Sequence, residues 1–323
     1  MYDVTAGIES LDGGRRVRCT VPLPVEPAVV FDAVATGEGI SSWFVACALE
    51  PHVGGRIVQF ADPGAPDPTT GPEAAAEAML TATVGEITEY APPAAGAPGR
   101  FAYAERDWMG EGVPVPPWET SCEVAPDGEG GTVLTLRSGF GSEGQLAAES
   151  VDGSVDGWRH ALTVLAHRLT HRPSDGVVAV DAATDPVRLT VPVLWDRVMG
   201  RLVAPAAGVG AGAATAGSGD DGEGAVARAG EVGGIVAASS AAAATILLSA
   251  PVDGVLELYA FPAGETAEAA ATGAAVAVRV YEYVTVPGGG DEPLGAAAVD
   301  GVEPTWDAPR WRGWLDGLAA PAE

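Results

Sequence analysis

One amphipathic segment near the middle of the chain constrains the fold more than any other feature. From Ser154 to His171, five apolar residues recur at spacings of 3, 4, 3 and 4, which places them on one face of an α-helix. They are Val155, Trp158, Leu162, Leu165 and Leu169. A helix with one continuous apolar stripe has to bury that stripe, so the segment predicts a long helix that closes a folded unit.

The chain before this helix predicts one strand, two helices and a run of strands. Alternating apolar residues from Arg15 to Leu23 indicate a strand, and Pro27 suits the first turn of a helix over Ala28 to Ala35. A second short helix is predicted from Glu38 to Phe44. Further strands are predicted at Ala48 to Phe60, with a kink at Gly54 and Gly55, and at Met79 to Tyr90, Gly99 to Trp108, Trp118 to Val124 and Thr132 to Phe140, with a loop at residues 61–78.

Three short blocks recur in the same order in the second half of the chain, which indicates an internal repeat. Val17 to Leu23 is similar to Val187 to Val193, Val53 to Val58 is similar to Val232 to Val236, and the helix around Trp158 is similar to Arg310 to Leu315. We therefore predict two tandem domains, residues 1–172 and a degenerate copy at 187–323, joined by a linker at 173–186. An Ala, Gly, Ser and Asp tract at 204–224 predicts a flexible loop in the second copy.

The charge of the chain restricts its partners. All 17 basic residues are Arg, against 44 acidic residues, and the formal net charge is −27. Such a chain repels phosphate backbones and anionic membrane surfaces, so neither nucleic acid nor a membrane is predicted as a partner. The sequence contains no Lys, which excludes Schiff-base chemistry and a phosphate-loop NTPase because both need a Lys amine.

The cysteines and the N-terminus indicate a reducing compartment. Cys19, Cys47 and Cys122 form neither a disulfide framework nor a zinc-ligand spacing. Met1 to Val4 lacks the basic and apolar regions of a secretory signal. The longest apolar run, Ala241 to Leu248, is far shorter than the roughly 20 residues that a membrane helix needs. We therefore expect a cytoplasmic protein.

Four segments resemble the START-like or SRPBCC superfamily, and within it the activators of heat-shock-protein-90 ATPase homologues. They are Val21 to Thr36 (VPLPVEPAVVFDAVAT), Glu38 to Phe44 (EGISSWF), Val53 to Ile57 (VGGRI) and the helix around Trp158. The resemblance, which covers residues 14–171 well, implies an α+β helix-grip fold: a curved antiparallel sheet wraps a long C-terminal helix and leaves a cavity that commonly holds an apolar ligand. Glu26 departs from the family pattern, in which Ser or Asp commonly caps the first helix, and the insertion at 61–78 is a second departure.

Side chains that face this implied cavity are the candidate ligand-binding residues. Alternation along one predicted strand places Phe101, Tyr103 and Glu105 on the same face. A cavity with aromatic walls suits a small apolar or aromatic molecule, and the alternative is that these residues only fill the core. The candidate set is Trp43, Phe101, Tyr103, Glu105, Trp118, Leu134, Leu136, Phe140, Trp158 and Leu162.

Glu105 and Asp107 are the only acid or base candidates that the sequence offers. Both lie on the predicted Phe101 face, where burial would raise the pKa of a carboxylate and suit it to proton transfer. The alternative is a strand end that returns to solvent, because unpaired carboxylates are seldom buried. No catalytic residue is assigned on this signal alone.

Three histidines and one glycine-rich run raise the question of a metal or a cofactor. His160, His167 and His171 share the Trp158 helix, on a face opposite the apolar stripe that carries no acidic or Cys residue at ligand spacing. We predict that they are exposed or contact the second copy, with no metal. Gly208 to Gly212 lacks the full G-x-G-x-x-G spacing, so no cofactor is predicted.

The sequence favours non-catalytic binding of a small hydrophobic ligand, or a regulatory protein of this family. One alternative is an enzyme similar to polyketide cyclases and dehydratases, and another is a module that interacts with a chaperone or other protein. The identity of the ligand, the existence of a cavity in the second copy and the oligomeric state are not encoded in any motif of the sequence.

Overall fold

Two sheets dominate the computed structural model of the chain, which describes residues 2–11, 14–60, 82–94, 97–106, 108, 115–140, 145–173, 175–203, 225–262, 273–284 and 303–321. The predicted loops at 61–78 and 204–224, and Asp107, lie outside these residues. The described residues form two compact units, one of residues 2–176 and one of residues 177–284 and 303–321. Each unit combines helices with a large antiparallel sheet, which confirms the predicted α+β class.

The described residues of the first unit form an eight-stranded sheet and three helices. In chain order they are β1 (Thr5–Leu11), β2 (Gly14–Leu23), α1 (Pro27–Ala35), α2 (Gly37–Ser41), β3 (Ala46–Leu49), β4 (Arg56–Phe60), β5 (Thr83–Ala91), β6 (Gly99–Glu105), β7 (Trp118–Pro126), β8 (Thr132–Phe140) and α3 (Gln145–His171). The spatial order is β1-β2-β8-β7-β6-β5-β4-β3, with antiparallel neighbours throughout. The pairing of β2 with β8, in which Cys19 lies opposite Leu136, joins the start of the unit to its last strand.

The predicted amphipathic helix is α3, which packs against β1, β2 and β8. It extends further toward the N-terminus than predicted and ends at His171. Leu162, Leu165 and Leu169 are fully buried, whereas Trp158 is only half-buried. The stripe therefore supplies core residues along the second half of α3. None of the helices in the described part of the chain is long and apolar enough to cross a membrane.

The two short helices begin for different local reasons. Pro27 opens α1, while Glu26 at its N-cap makes no side-chain capping bond, in line with a poor capping residue. Thr36 caps α2, because its Oγ1 accepts a hydrogen bond from the Gly39 N–H at 2.9 Å. The predicted helix Glu38 to Phe44 ends earlier, at Ser41, and the two aromatic residues that follow belong to the next turn.

The predicted strand Ala48 to Phe60 is instead a hairpin of β3 and β4. Gly54 has a φ of +79°, a left-handed conformation that favours glycine, so the chain reverses between the two strands. A Cβ on Gly55 would lie 2.3 Å from the Glu50 carbonyl oxygen, so the close approach of the turn also requires a glycine there. The glycine pair is a turn and not a kink.

The second unit holds a six-stranded sheet and two helices. Its elements are β9 (Gly176–Ala183), α4 (Val191–Leu202), β10 (Val226–Ala229), β11 (Val232–Ser239), β12 (Ala243–Ala250), β13 (Gly254–Pro262), β14 (Ala274–Val284) and α5 (Ala308–Ala319). The spatial order is β10-β11-β12-β13-β14-β9. Leu194 and Val198 of α4 and Trp311 and Leu315 of α5 are buried in one core cluster with alternate residues of the sheet.

The linker predicted at 173–186 is corrected by the structure. Strand β9 lies within it and pairs with β14 at the edge of the second sheet. The block Val187 to Val193, which resembles strand residues Val17 to Leu23, is not a strand, because Val187 forms one isolated bridge and α4 begins at Val191. Pro192 is tolerated in the first turn of α4, since its missing N–H costs nothing at a helix start, but Pro22 holds the same place in the strand block, so the proline does not explain the difference.

We expect Leu162→Ala to destabilise the first unit by about 2–5 kcal/mol, because it opens a cavity under a fully buried position of α3. Urea unfolding followed by circular dichroism measures the change. Val53→Ala, at an exposed turn residue, is the control and should change stability by less than about 0.5 kcal/mol. Equal effects of the two substitutions would contradict the placement of α3.

Candidate functional site

A small cavity lies in the first unit between the helices and the sheet. Side chains from seven helices and strands, or from the residues next to them, line it. Its volume is only about 20 Å³. The lining residues are Val34, Ile40, Trp43, Phe44, Gln59, Phe101, Tyr103, Thr120, Cys122, Leu136 and Trp158. The walls are therefore mostly apolar and aromatic, with a few polar groups and no charged side chain among the lining residues.

The structure brings together half of the predicted ligand-binding residues. Trp43, Phe101, Tyr103, Leu136 and Trp158 line the cavity. Glu105, Trp118, Leu134, Phe140 and Leu162 do not. Leu134 and Leu162 are fully buried in the core, and Trp118 and Phe140 pack on each other and on Trp108, with ring centroids 4.8 to 5.3 Å apart.

Six lining residues were not identified from the sequence. They are Val34, Ile40, Phe44, Gln59, Thr120 and Cys122. Alternation alone would have indicated three of them, because Gln59 shares a face of β4 with buried Ile57, and Thr120 and Cys122 alternate along β7. A polar residue at an inward position of a strand is the sequence signal that would have pointed to these cavity residues.

The aromatic residues of the cavity differ in their exposure. Trp43 is buried and its indole N–H donates to the Ala33 carbonyl oxygen at 2.9 Å, which fixes its ring. Phe44 and Trp158 are half-buried and stack with ring centroids 5.1 Å apart and planes at 21°. This stacked pair is the part of the aromatic wall that reaches the surface.

A line of polar groups crosses the inner face of the sheet. The Gln59 Nε2 donates to the Tyr103 hydroxyl oxygen at 2.9 Å, and Thr120 lies opposite Tyr103 on the neighbouring strand. Thr120 Oγ1 and Ser138 Oγ are 2.9 Å apart, and the Trp118 Nε1 donates to Ser138 Oγ at 2.6 Å. Burial, followed by the nearby Glu105 charge, raises the pKa of Tyr103 above its usual 10, so Tyr103 stays a neutral phenol.

Glu105 is a buried carboxylate at the end of β6. Its side chain is 9 % exposed and makes no hydrogen bond or ion pair with any residue in the described part of the chain. Gly85 lies opposite it on β5, and a Cβ there would sit 3.3 Å from Glu105 Cγ, so the missing side chain leaves room for the carboxylate. Burial raises the pKa of Glu105 to about 7.

The cavity thiol is not a nucleophile. Burial, followed by the Cys19 side chain, raises the pKa of Cys122 to about 12. The thiol therefore stays protonated near neutral pH, and thiolate is the reactive form.

The histidines of α3 do not form the exposed face that the sequence predicts. His160 is buried and burial lowers its pKa to about 4, so it is neutral at pH 7. His167 Nδ1 lies 2.6 Å from the Tyr2 hydroxyl, and His171 is exposed. No group of three His, Cys, Asp or Glu residues within the described ranges is arranged to hold a metal.

The second unit carries a polar cluster that the sequence did not indicate. Arg279 of β14 makes a bidentate ion pair with Asp181 of β9, at 2.7 and 3.0 Å. The Tyr281 hydroxyl donates to Glu257 Oε2 at 3.1 Å, and burial raises the pKa of Glu257 to about 7. The cluster cross-links neighbouring strands of the second sheet.

When the chain is compared with known proteins, similar proteins are found only among the solved structures. No family model and no curated protein matches the chain. CalU16 from Micromonospora echinospora is 20% identical over 54% of this chain and 86% of its own, with a TM-score of 0.35. The di-domain ARO/CYC BexL from the BE-7585A biosynthetic pathway is 14% identical over 83% of this chain and 85% of its own, with a TM-score of 0.37. Likenesses of this size assign neither an activity nor a ligand to this chain.

We expect Glu105→Gln to remove a pH-dependent loss of stability. The folded protein keeps the Glu105 proton up to a pKa of about 7, whereas the unfolded chain releases it near 4.5. Stability from this group is therefore complete below pH 4.5 and is lost as the pH rises through about 7. Between these limits the wild type should weaken relative to the variant by roughly 1.4 kcal/mol per pH unit.

Urea unfolding of both proteins at pH 5 and pH 8 measures this difference. Glu129→Gln, at an exposed turn residue, is the matched control and should show the same difference from wild type at both pH values. A Glu105→Gln difference that does not change with pH would mean that the carboxylate is solvated in the folded state.

Proposed function

We propose that the first unit binds a small apolar or aromatic molecule, without catalysis, in the cavity between α3 and the sheet. This is the function implied by the resemblance of residues 14–171 to START-like or SRPBCC helix-grip domains. The observation that carries the proposal is an apolar, aromatic-walled cavity that contains a few hydrogen-bonding groups, which is the usual composition of a small-molecule site.

The size of the cavity implies that a ligand enters by opening it. A cavity of about 20 Å³ holds roughly one water molecule. An aromatic ligand can therefore enter only if the walls of the cavity move apart. Phe44 and Trp158 are suited to move, because they are half-buried and are held together by stacking. Such a pair contributes only about 0.5–1.5 kcal/mol beyond area burial, which ligand contacts can replace.

An enzyme similar to polyketide cyclases and dehydratases is the second candidate function. Glu105 favours it, because a buried carboxyl group with a pKa near 7 is suited to take and return a proton at neutral pH. Binding remains the first proposal since Glu105 does not line the cavity, so a bound molecule would have to reach it through the Tyr103 region.

A chaperone or other protein partner has less support. The exposed large apolar residues of the described chain are Ile8, Val53, Val84, Val193 and Ile235, and they lie on five different segments. Single apolar residues of this kind are ordinary on protein surfaces and do not mark a docking patch. The finer resemblance to activators of heat-shock-protein-90 ATPase homologues therefore does not enter the proposal.

We also propose that the second unit, residues 187–323 together with strand β9, is a degenerate copy of the first. Strand order supports this: β2-β8-β7-β6-β5-β4-β3 in the first unit corresponds to β9-β14-β13-β12-β11-β10 in the second, with one strand fewer. A helix follows β2 in the first unit and β9 in the second, and another helix closes each unit. Counted from β9, strand β11, which contains Val232 to Val236, stands at the place of β5, and it stands at the place of β4 only when counted from β10, so strand order does not support the repeat of that block.

Binding of a neutral fluorescent aromatic amine, N-phenyl-1-naphthylamine, tests the proposed site. We expect saturable binding to the wild type, and a decrease in affinity of at least about tenfold in Leu136→Phe, because the added ring atoms occupy the cavity. Leu134→Phe is the matched control: it is equally buried, two residues away on β8, and does not line the cavity. Both changes should cost about 1–3 kcal/mol of stability through overpacking.

Fluorescence titration of the three folded proteins distinguishes the outcomes. Affinity that falls for Leu136→Phe and stays within about twofold for Leu134→Phe supports the site. Equal losses in both variants, or no binding to the wild type, would overturn it.

A further inference from the structure

The line of polar groups beside the cavity contains more hydroxyl hydrogens than it has acceptors for them. The indole of Trp118 and the Nε2 of Gln59 can only donate, so they fix Ser138 Oγ and the Tyr103 oxygen as acceptors at the two ends. Ser138 and Thr120 share one hydrogen bond, and the Tyr103 hydroxyl, which lies opposite Thr120 in the sheet, donates to no residue in the described part of the chain. The Tyr103 hydrogen is therefore spare, and so is one of the two hydroxyl hydrogens of the Ser138 and Thr120 pair.

The position of the pair's spare hydrogen follows from burial. The Ser138 side chain is 0 % exposed and does not line the cavity, so a hydrogen left there would be buried without a partner, at a cost of about 1–3 kcal/mol. Thr120 and Tyr103 both line the cavity, which is the available space next to the line. Ser138 therefore donates to Thr120, and the Tyr103 O–H, with Thr120 beside it, is the donor that faces the cavity.

We propose that the cavity selects an uncharged apolar or aromatic molecule with a carbonyl oxygen, and that this oxygen accepts a hydrogen bond from Tyr103. This inference rests on the proposed function and names the class of its ligand. A carbonyl supplies the missing acceptor without adding another donor, unlike an amine. Burying that donor against a pure hydrocarbon would leave it unsatisfied.

The charges around the cavity exclude an anionic ligand. No Arg side chain is among the lining residues, and Lys is absent from the sequence. Glu105 acts electrostatically on Tyr103 from the same face of β6 and would repel a carboxylate bound at the phenol. A buried charge without a partner is costly, so a neutral ketone fits and a free acid does not.

A pair of neutral probes tests the inference. Prodan, a naphthyl ketone whose emission moves to longer wavelength when its carbonyl accepts a hydrogen bond, is compared with N-phenyl-1-naphthylamine, which has no carbonyl. We expect Tyr103→Phe to weaken prodan binding about fivefold and to shift its bound emission to shorter wavelength, since the ring is kept and only the hydroxyl is removed. Binding of N-phenyl-1-naphthylamine should change by less than about twofold.

Two further variants control the assignment. Tyr90→Phe removes a hydroxyl from β5 outside the cavity and should leave both probes unchanged. Thr120→Val removes the neighbouring hydroxyl and leaves the Tyr103 O–H in place, so the preference for prodan should remain. Prodan affinity and emission that are the same in wild type and Tyr103→Phe, while both probes bind, would overturn the inference and leave the cavity function standing. If neither probe binds the wild type, both proposals fail.

Discussion

The pairing of β2 with β8 is the contact on which the first unit depends. It joins residues that are more than a hundred positions apart, with Cys19 opposite Leu136 and Val21 opposite Leu134. Such a closure is costly in chain entropy, and the buried faces of both strands and of α3 offset that cost. Once it has formed, α3 lies against β1, β2 and β8, and the inner sides of β4, β6 and β7 are left to form a cavity.

The polar groups in this otherwise apolar interior are informative because they cost stability. Thr120 is 3 % exposed and Gln59 is also buried, and both would have to be desolvated on folding. A core built only for stability would favour apolar residues of the same volume at these positions. Gln59 hydrogen-bonds Tyr103 and Thr120 hydrogen-bonds Ser138, and polar groups held in this way beside a cavity are a means of recognising a polar atom in a ligand.

Glu105 and Tyr103 influence each other without a hydrogen bond between them. Both lie on the inward face of β6, and the charge of Glu105 adds to the burial that raises the pKa of Tyr103. Near neutral pH the carboxyl group is close to its own pKa, so its charge is the most variable one next to the cavity. A neutral ligand is bound more easily beside such a group than an anion is.

The sequence alone determined the long buried helix and the inward face of one strand. The stripe of Leu162, Leu165 and Leu169 fixed a long buried helix, and alternation put Phe101 and Tyr103 on one face of a strand. These are local properties, because helix and strand periods depend on neighbours in the chain.

Only the tertiary structure decided which inward residues meet and how similar segments fold. The Gln59 to Tyr103 hydrogen bond joins residues 44 positions apart, through the register of β4, β5 and β6, which no local pattern encodes. His160 lies opposite the predicted stripe and is nevertheless buried, because burial depends on what else covers a helix. Val17 to Leu23 is a strand that pairs with β8, whereas the similar block Val187 to Val193 leads into α4, and in the second sheet it is β9 that pairs with β14.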